Sequence, residues 1–335
     1  MIIYVNIIII YIGVICVLRI GVVGAGIIGD AHKKAIEKSS DSCMAAVCDL
    51  DIEKAKALAD GTDARVYTDY KEMQEKEELD GVILNLPHFL HKDVSIYFLD
   101  HKVPVLVEKP MANSVEECDA MIEASKRNNT PLAVGHVQKY FEPFRYLREV
   151  VESGRLGKFC SMTETRNIDY FTNRPNWFLN KAQAGGGIMH NYGAHALDRL
   201  FYVTGTEVNY VAARGGNILN DCDIEASAQV LLGLSGGASA ALSYCACKGP
   251  YQFYTNFYFT NGAAKVCDSN TSLWITEGKN GFEKIELPEQ EHVFVRQFAE
   301  FEKLIKGEKS EIVTPEFGRR VIAVLEEAYD RMQDK

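Results

Sequence analysis

The sequence predicts an α/β protein that combines a doubly wound parallel sheet with an α+β unit whose sheet is mostly antiparallel. From Arg19 to about Leu147, short continuous apolar runs alternate with longer amphipathic segments, which is the pattern of parallel strands covered by helices on both faces. After Gly157 the pattern changes to strand-like runs separated by Gly or Asn, which favours antiparallel pairing. We therefore predict two domains, at residues 19–147 and 148–335.

Five apolar runs are the predicted strands of the first domain. They read RIGVVG, MAAVCD, GVILNL, VPVLVE and PLAVGH. Helical spacing between them is clearest at Ile52–Ala59, Lys92–Asp100 and Val115–Arg127. Ser114 precedes the last of these segments and Glu117 follows three residues later, so we predict a capping box at its start.

The second domain is predicted to hold five strands and two closing helices. The strands are expected at 208–214, 226–234, 238–245, 253–260 and 263–267. The final helix should begin at Thr314-Pro315, because threonine is a good N-cap and proline suits the first helical position. Its apolar face would consist of Phe317, Val321, Leu325 and Ala328. Whether this helix packs back onto the first domain stays open.

The composition argues against several classes of protein. Lys plus Arg is 36 and Asp plus Glu is 46, a formal net charge of −10, whereas nucleic-acid binding depends on cationic contacts with phosphates. The apolar fraction of 47% and charged fraction of 24% are ordinary for a folded domain. The nine cysteines are scattered without a CxxC pair, so we predict reduced thiols in a cytoplasmic protein and no metal site.

Residues 1–18 do not fit this scheme. They read MIIYVNIIIIYIGVICVL, without a charged residue, and nearly reach the length of a membrane span, yet they lack the basic region and cleavage site of a secretory signal. Three interpretations stay open: an uncleaved membrane anchor, a strand or helix packed on the fold, or a start site placed too far upstream. We favour the last, with initiation near Val17 or Leu18, and the cytoplasmic prediction depends on it.

The sequence GAGIIG follows the first predicted strand and opens a helix. Gly24 permits the tight turn, Gly26 lets the backbone approach a pyrophosphate, and Gly29 lets the helix pack on the strand. The amides at the start of this helix, at Ile27 and Ile28, would hold the phosphates with the help of the helix dipole. This arrangement predicts a dinucleotide site.

Asp49 ends the second predicted strand, where a carboxylate accepts hydrogen bonds from the hydroxyls of an adenosine ribose. The same carboxylate would repel a 2′-phosphate, and the following Leu50 and Asp51 bring no positive charge. We therefore predict NAD as the cofactor and regard NADP as disfavoured. Asp49 is alternatively the N-cap of the next helix, a role for which Asp51 competes.

Lys109 lies in the sequence Glu108-Lys109-Pro110, directly after the predicted strand Val103–Val107. That position is the carboxyl edge of the sheet, where ligands bind in folds of this type. An ammonium group there would stabilise the alkoxide character that develops as hydride leaves a carbinol carbon. From spacing alone, a surface lysine paired with Glu108 is an equal alternative.

These motifs together resemble the Gfo/Idh/MocA oxidoreductases, which include glucose–fructose oxidoreductase and inositol dehydrogenases. The resemblance extends from about Arg19 to the C-terminus. It rests on GAGIIG with His32, CDLD at 48–51, Leu86-Pro87 with His91, EKP at 108–110, GHVQKYFEP at 135–143, SGRLG at 153–157 and the GGG…H…D run at 185–198. It implies a Rossmann domain, a second domain with a large open sheet, and NAD(P)-dependent redox chemistry on a carbinol of a small sugar, polyol or sugar derivative.

The resemblance also implies roles for single residues. Lys109 corresponds to the catalytic lysine of the family, and His195 to its general base, which suits a side chain that titrates near neutrality. The cofactor would be lined by Leu86, Pro87, His91 and Glu108. Candidates for substrate contact are Asn191, Lys139, Tyr140, Asp169, Arg174, Trp177 and His190. Arg166 and Arg174 would suit an acidic sugar.

Asn191 departs from the family pattern, which has Asp four residues before the catalytic histidine. Asn can hydrogen-bond a hydroxyl group, but it cannot stabilise an imidazolium by charge. Three consequences stay open. Catalysis depends on Lys109 and His195 alone, or His190 or Asp169 joins the proton relay, or turnover is reduced or absent.

Three functions follow in order of preference. The first is an NAD-dependent dehydrogenase or reductase of a sugar or polyol. The second is a non-catalytic NAD-binding sensor or accessory protein, and the third is an NAD-dependent glycoside hydrolase that works through transient oxidation. The aromatic run at 251–259 is expected to form sheet core and a subunit interface, so we predict a homo-oligomer, a dimer or a tetramer.

Overall fold

The computed structural model describes residues 17–219 and 221–333. Most of the segment at 1–18 therefore lies outside the described residues, and its three interpretations stay open. Within the described ranges, none of the helices combines the length and apolar character that a membrane crossing requires.

The first part of the chain forms a six-stranded parallel sheet in the order β3-β2-β1-β4-β5-β6. Its strands are β1 (Leu18–Val23), β2 (Ser42–Cys48), β3 (Arg65–Tyr67), β4 (Gly81–Leu84), β5 (Val105–Val107) and β6 (Leu132–Val134). The helices between them are α1 (Ile27–Glu37), α2 (Ile52–Ala59), α3 (Tyr70–Lys76), α4 (His91–Asp100) and α5 (Val115–Asn128). The predicted doubly wound sheet is confirmed, although β3 and α3 are too short to give a periodic signal in the sequence.

The second part forms an eight-stranded sheet in the order β14-β13-β12-β11-β7-β10-β9-β8. Its strands are β7 (Phe159–Asn167), β8 (Val208–Gly216), β9 (Ser227–Leu234), β10 (Ser239–Cys245), β11 (Gln252–Phe259), β12 (Gly262–Cys267), β13 (Ser272–Glu277) and β14 (Glu283–Lys284). Neighbours pair antiparallel except β7 with β10, which confirms the predicted sheet type. The helices are α6 (Glu142–Glu152), α7 (Lys181–Ala184), α8 (Ala194–Thr204), α9 (Val293–Ile305) and α10 (Pro315–Gln333).

The central strand β7 was not predicted. Its buried face presents Met162, Glu164 and Arg166, so two of its three buried side chains are charged. The alternation of apolar and polar residues that reveals a half-buried strand is therefore missing from the sequence. This exception matters because both charged residues lie beside the site described below.

The capping box predicted at Ser114 is half right. The Ser114 hydroxyl accepts a hydrogen bond from the Glu117 amide, as expected, but the Glu117 carboxylate accepts from the amide of Asn113 and not from that of Ser114. Asp51 caps α2 by accepting from the Glu53 amide. The carboxylate of Asp49, directly after β2, is therefore left for other contacts.

The last helix, α10, packs on α5 of the first part of the chain and on β8 of the second part. Val321, Leu325 and Ala328 are fully buried as predicted, while Phe317 is half-buried. The Glu326 carboxylate accepts from the first amide of α5, at Val115. This helix also carries a tyrosine into the functional site.

Candidate active site

The loop between β1 and α1 has the features that a dinucleotide requires. Gly24 has a φ of +97°, and a Cβ there would come within 2.4 Å of the carbonyl oxygen of Asn85, so only glycine fits. A Cβ on Gly26 would meet no atom within 4 Å, which means that the space above this backbone is open. The α1 N-terminus has no side-chain cap, and its first residue, Ile27, is 89% exposed. The residues present therefore fit a pyrophosphate on the helix N-terminus.

Asp49 supports this loop directly. One carboxylate oxygen accepts from the amide of Ala25 at 2.8 Å, and the other accepts from the amide of Asp51 at 2.9 Å. The acid predicted to select the cofactor is thus fixed against the glycine loop. Because Asp51 performs the capping role at α2, the alternative interpretation of Asp49 as the N-cap is wrong.

Glu108 places Lys109 at the carboxyl edge of β5. One Glu108 oxygen lies 3.1 Å from His32 Nε2, and the other accepts from the backbone amide of Lys109 at 3.1 Å. A Cβ on Gly135 would lie 2.9 Å from this carboxylate, so the neighbouring strand end must be glycine. Glu108 is therefore occupied with holding the backbone, and it leaves the Lys109 side chain free to point away.

The Lys109 side chain reaches across to the second part of the chain. Its Nζ donates to Asn191 Oδ1 at 2.9 Å. The pKa of Lys109 is lowered to about 8, mainly by burial; Glu108 opposes this shift, and Arg174 and Arg166 add to it. The predicted pair of Lys109 and Asn191 is brought together, and the lysine can change its charge close to neutral pH.

Asn191 is carried by an unusual turn. Asn191 and His195 are four residues apart, a spacing that predicts one face of a regular α-helix. The structure differs, because residues Met189–Gly193 form a π-helical turn that continues into α8. The buried carboxylate of Glu225 accepts from the amides of Gly187 at 2.8 Å and Met189 at 2.7 Å, which fixes the start of this turn.

Tyr329 of α10 completes this support. Its hydroxyl donates to Glu225 at 2.9 Å and accepts from the amide of His190 at 3.1 Å. A Cβ on Gly186 would come within 1.9 Å of the same hydroxyl, which explains one residue of the glycine run. Neither Glu225 nor Tyr329 was predicted, because nothing in the sequence marks a contact between residues so far apart.

His195 is held by Gln138. The Gln138 Nε2 lies 3.2 Å from His195 Nδ1, while Arg199 donates to Gln138 Oε1 at 2.7 Å. Since arginine can only donate, the glutamine amide must turn its NH₂ toward the histidine, and neutral His195 then carries its proton on Nε2. Burial, Lys109 and neighbouring arginines lower the pKa of His195 well below its ordinary value. This arrangement favours hydrogen-bond donation over the general-base role that we expected.

Three further histidines in this region are buried, and burial lowers the pKa of each. His91 lies 2.9 Å from the carbonyl oxygens of both Pro110 and Leu86, and so it joins the loop after β4 to the loop after β5. Burial lowers the pKa of His190 to about 3, with Lys109 as the second cause. The ring of His88 packs between those of His91, His190 and Trp177, with 4.9 Å between the centres of His88 and Trp177.

Arg166 and Arg174 both contact the aromatic ring or hydroxyl of Tyr192, the residue after Asn191. The Arg166 guanidinium carbon lies 4.3 Å from the centre of the Tyr192 ring, and Arg174 Nη2 donates to the Tyr192 hydroxyl at 3.4 Å. The sequence pattern places both arginines in the loop before the glycine run; Arg174 lies in that loop, whereas Arg166 lies on β7.

Three predicted substrate contacts are not brought to Lys109. Lys139 donates to the carbonyl oxygen of Glu311, and its Nζ lies 5.7 Å from the centre of the Tyr140 ring. Asp169 is exposed, and both its oxygens accept from the hydroxyl of Thr172.

Two of the residues predicted to line the cofactor lie at the carboxyl edge of β4. Pro87 precedes a short 3₁₀ turn, and Leu86 comes directly before it.

Two family models match the chain. One is described as an oxidoreductase family with an NAD-binding Rossmann fold, GFO/IDH/MocA, and matches residues 18–136. The other is the GFO/IDH/MocA C-terminal domain and matches residues 144–265.

Two relatives that match more than half of the chain are each less than 30% identical to it. The 2,7-anhydro-N-acetylneuraminate hydratase of Mediterraneibacter gnavus is 27% identical over 260 residues, 75% of this chain and 68% of its own length. The myo-inositol 2-dehydrogenase of Thermotoga maritima is 26% identical over 211 residues, 61% of this chain and 60% of its own length. Among solved structures, GenD2 from gentamicin A biosynthesis in complex with NAD superimposes with a TM-score of 0.83 at 24% identity, covering 95% of both chains, which shows a shared fold.

Proposed function

Since the chain belongs to the GFO/IDH/MocA family of oxidoreductases, we propose that it transfers hydride between a nicotinamide cofactor and the CH–OH carbon of a sugar, polyol or sugar derivative. The observation that carries this proposal is the partly buried hydrogen bond between Lys109 and Asn191. Lys109 follows β5 and the glycine loop follows β1, so both lie at the same carboxyl edge of the parallel sheet, where cofactor and substrate must meet.

NAD is the cofactor we propose, with NADP disfavoured. The glycine loop and the amides of Ile27 and Ile28 would hold the pyrophosphate, and Asp49 would accept from the ribose hydroxyls. Leu86, Pro87, His91 and Glu108 would line the rest of the site. When bound, the nicotinamide supplies or accepts the hydride.

Lys109 is the group that we propose moves the substrate proton. Oxidation of a carbinol releases a hydroxyl proton, and the acceptor needs a pKa near the working pH. With a pKa of about 8, Lys109 can accept this proton near neutral pH. Burial lowers the pKa of His195 well below its ordinary value, so His195 is a poor proton acceptor. His195 would donate its Nε2–H to the same oxygen and stabilise its negative charge, and Asn191 would orient Lys109.

The test is NADH formation at pH 7 to 9, with inositols, aldoses, amino sugars and sugar acids as substrates. Reduction of NAD by one substrate class, and slower reduction of NADP, is the expected result. NAD binding measured by calorimetry without turnover of any substrate would favour the non-catalytic sensor. Absence of NAD binding would overturn the proposal.

A second candidate is a reaction without net redox change, in which the cofactor is reduced and reoxidised within one turnover. The specific observation that favours it is the similarity to a hydratase of 2,7-anhydro-N-acetylneuraminate. The glycoside hydrolase anticipated from the sequence falls in the same class. Product formation that requires catalytic amounts of NAD, without accumulation of NADH, would identify this class.

We also propose that the open face of the eight-stranded sheet joins subunits of a cytoplasmic oligomer. Tyr210 on β8, Leu231 on β9, and Tyr254 and Tyr258 on β11 are exposed on this face. An apolar face of this kind favours association. Light scattering of the purified protein should give a dimer or tetramer, and Tyr254→Lys with Tyr258→Lys should give a smaller species. A monomeric parent protein would overturn this part.

A further inference from the structure

Three cationic side chains meet at the turn that holds Asn191. Lys109 donates to Asn191, while Arg166 and Arg174 contact the adjacent Tyr192. The side chain of Arg166 comes from β7, and that of Arg174 comes from the loop after it. Different parts of the chain therefore bring positive charge to one small region.

Arg166 has no counter-ion among residues 17–219 and 221–333. Its residue is 8% exposed and its Nε is buried without a hydrogen-bond partner. Its guanidinium carbon lies 4.3 Å from the centre of the Tyr192 ring and 3.9 Å from that of Phe253, so aromatic rings contact it. Since arginine does not lose its proton in a protein, Arg166 is a largely buried positive charge, and its guanidinium nitrogens have no hydrogen-bond partner among the described residues.

The buried carboxylates nearby are occupied elsewhere. Glu164 binds Arg199, Glu108 binds His32 and the Lys109 amide, and Glu225 binds two amides and a tyrosine hydroxyl. Within residues 17–219 and 221–333, no carboxylate forms an ion pair with Arg166 or Arg174. None of these three carboxylates is a direct counter-ion of Arg166 or Arg174.

Arg174 is only partly occupied. Its Nε donates to the carbonyl oxygen of Tyr170 at 2.9 Å and its Nη2 to the Tyr192 hydroxyl, which leaves Nη1 without a partner in the described chain. The guanidinium group presents parallel N–H donors that match the two oxygens of a carboxylate. Arg166 and Arg174 flank Tyr192, and so they border the place where Lys109 would meet a hydroxyl.

We propose that Arg166 and Arg174 bind a carboxylate on the substrate, so that the substrate is a sugar acid whose CH–OH group lies at Lys109. This proposal rests on the proposed oxidoreductase function and adds a substrate class to it. Neutral sugars and inositols would lack the group that these arginines recognise.

The test compares acids with matched neutral sugars. The NADH complex of the full chain is titrated by calorimetry with D-gluconate, D-glucuronate and D-galacturonate, and with D-glucitol, D-glucose and D-galactose. We expect at least one acid to bind about tenfold or more tightly than its neutral counterpart. Arg166→Met and Arg174→Met should each reduce that ratio about tenfold, Arg166→Lys should restore part of it, and Arg127→Met, at an exposed position on α5, should leave it unchanged.

Thermal unfolding separates recognition from a structural role. If Arg166 serves a ligand, the apo form of Arg166→Met should unfold at the same or a higher temperature, because a buried unpaired charge is removed. A lower unfolding temperature together with an unchanged acid-to-neutral ratio would show a packing role and overturn the proposal. Equal binding of acids and neutral sugars, binding of D-glucose 6-phosphate but no carboxylate, or binding of none of the acids would also overturn it. The oxidoreductase proposal would survive each of these results if NAD is reduced by a neutral sugar.

Discussion

Two buried arginines contact the same aromatic ring and differ in almost everything else. The guanidinium carbon of Arg199 lies 5.1 Å from the centre of the Phe253 ring, and that of Arg166 lies 3.9 Å from it. Arg199 donates to both oxygens of Glu164 and to Gln138. Arg166 has no such partner in the described chain.

The difference separates a charge that Glu164 neutralises within the fold from a charge that we propose serves a ligand. Around Glu164, Tyr244 and Thr255 also donate to the carboxylate, at 2.9 and 2.8 Å, so that the cluster is neutral and closed. Near Lys109, the guanidinium groups of Arg166 and Arg174 have no carboxylate partner among the described residues. The following variants test this difference, beginning with the one that should cost the most.

Glu164→Gln should cause the largest loss of stability. It leaves Arg199 fully buried with no counter-ion, which costs about 3–5 kcal/mol. The free energy of unfolding from urea titrations measures this cost. Glu277→Gln is the matched control, because it breaks a half-exposed ion pair with Arg155 and should cost less than about 1 kcal/mol. Equal costs for the two variants would mean that burial of Arg199 does not increase the cost of losing its counter-ion.

Lys109→Ala should act on turnover and spare folding. Loss of a general base reduces kcat by about 10²–10⁴-fold. The free energy of unfolding should not fall, because a buried lysine with a lowered pKa contributes nothing favourable as a charge. NAD binding should stay intact, and added ethylamine should restore part of kcat. Activity close to that of the parent protein would contradict the proposed role of Lys109.

The sequence alone predicts the sheet around β1 better than the sheet around β7, for a physical reason. Strands buried on both faces are continuous apolar runs, and the glycine loop and Asp49 follow them at fixed positions. In β7, Glu164 and Arg166 occupy buried positions, so the strand has no hydrophobic periodicity.

The sequence motifs identify some residues of the site and miss others. The resemblance to a known family identifies Lys109 and Asn191, which lie 82 residues apart, as members of one site. Glu225 and Tyr329 could not be found, because their role depends on tertiary contacts with backbone amides, and backbone amides leave no mark in a sequence. The same limit hid the tautomer of His195, which is set by Gln138.

Asn191→Asp should shift the pH dependence of oxidation. A carboxylate beside the ammonium group favours the charged form, so the pKa of Lys109 should rise from about 8 by about one to three pH units. Because the neutral amine is the proposed base, the rising limb of kcat/KM should move to higher pH, and activity at pH 7 should fall. Profiles from pH 6 to 10 measure this. Asn209→Asp, an exposed position on β8, is the control. If His195 were the base, the parent profile would be flat above pH 7.

Tyr329→Phe should have the smallest effect, and its control makes the effect interpretable. The hydroxyl of Tyr329 joins α10 to Glu225 and to the turn that carries His190 and Asn191. Its loss leaves Glu225 with its two amide donors, so the free energy of unfolding should fall by only about 1 kcal/mol. The buried hydroxyl of Tyr140 has no hydrogen-bond partner among the described residues, so Tyr140→Phe should cost nothing. If kcat of the folded Tyr329→Phe variant falls while kcat of Tyr140→Phe does not, α10 positions Asn191 against Lys109. Equal kcat values for the two variants would show that it does not.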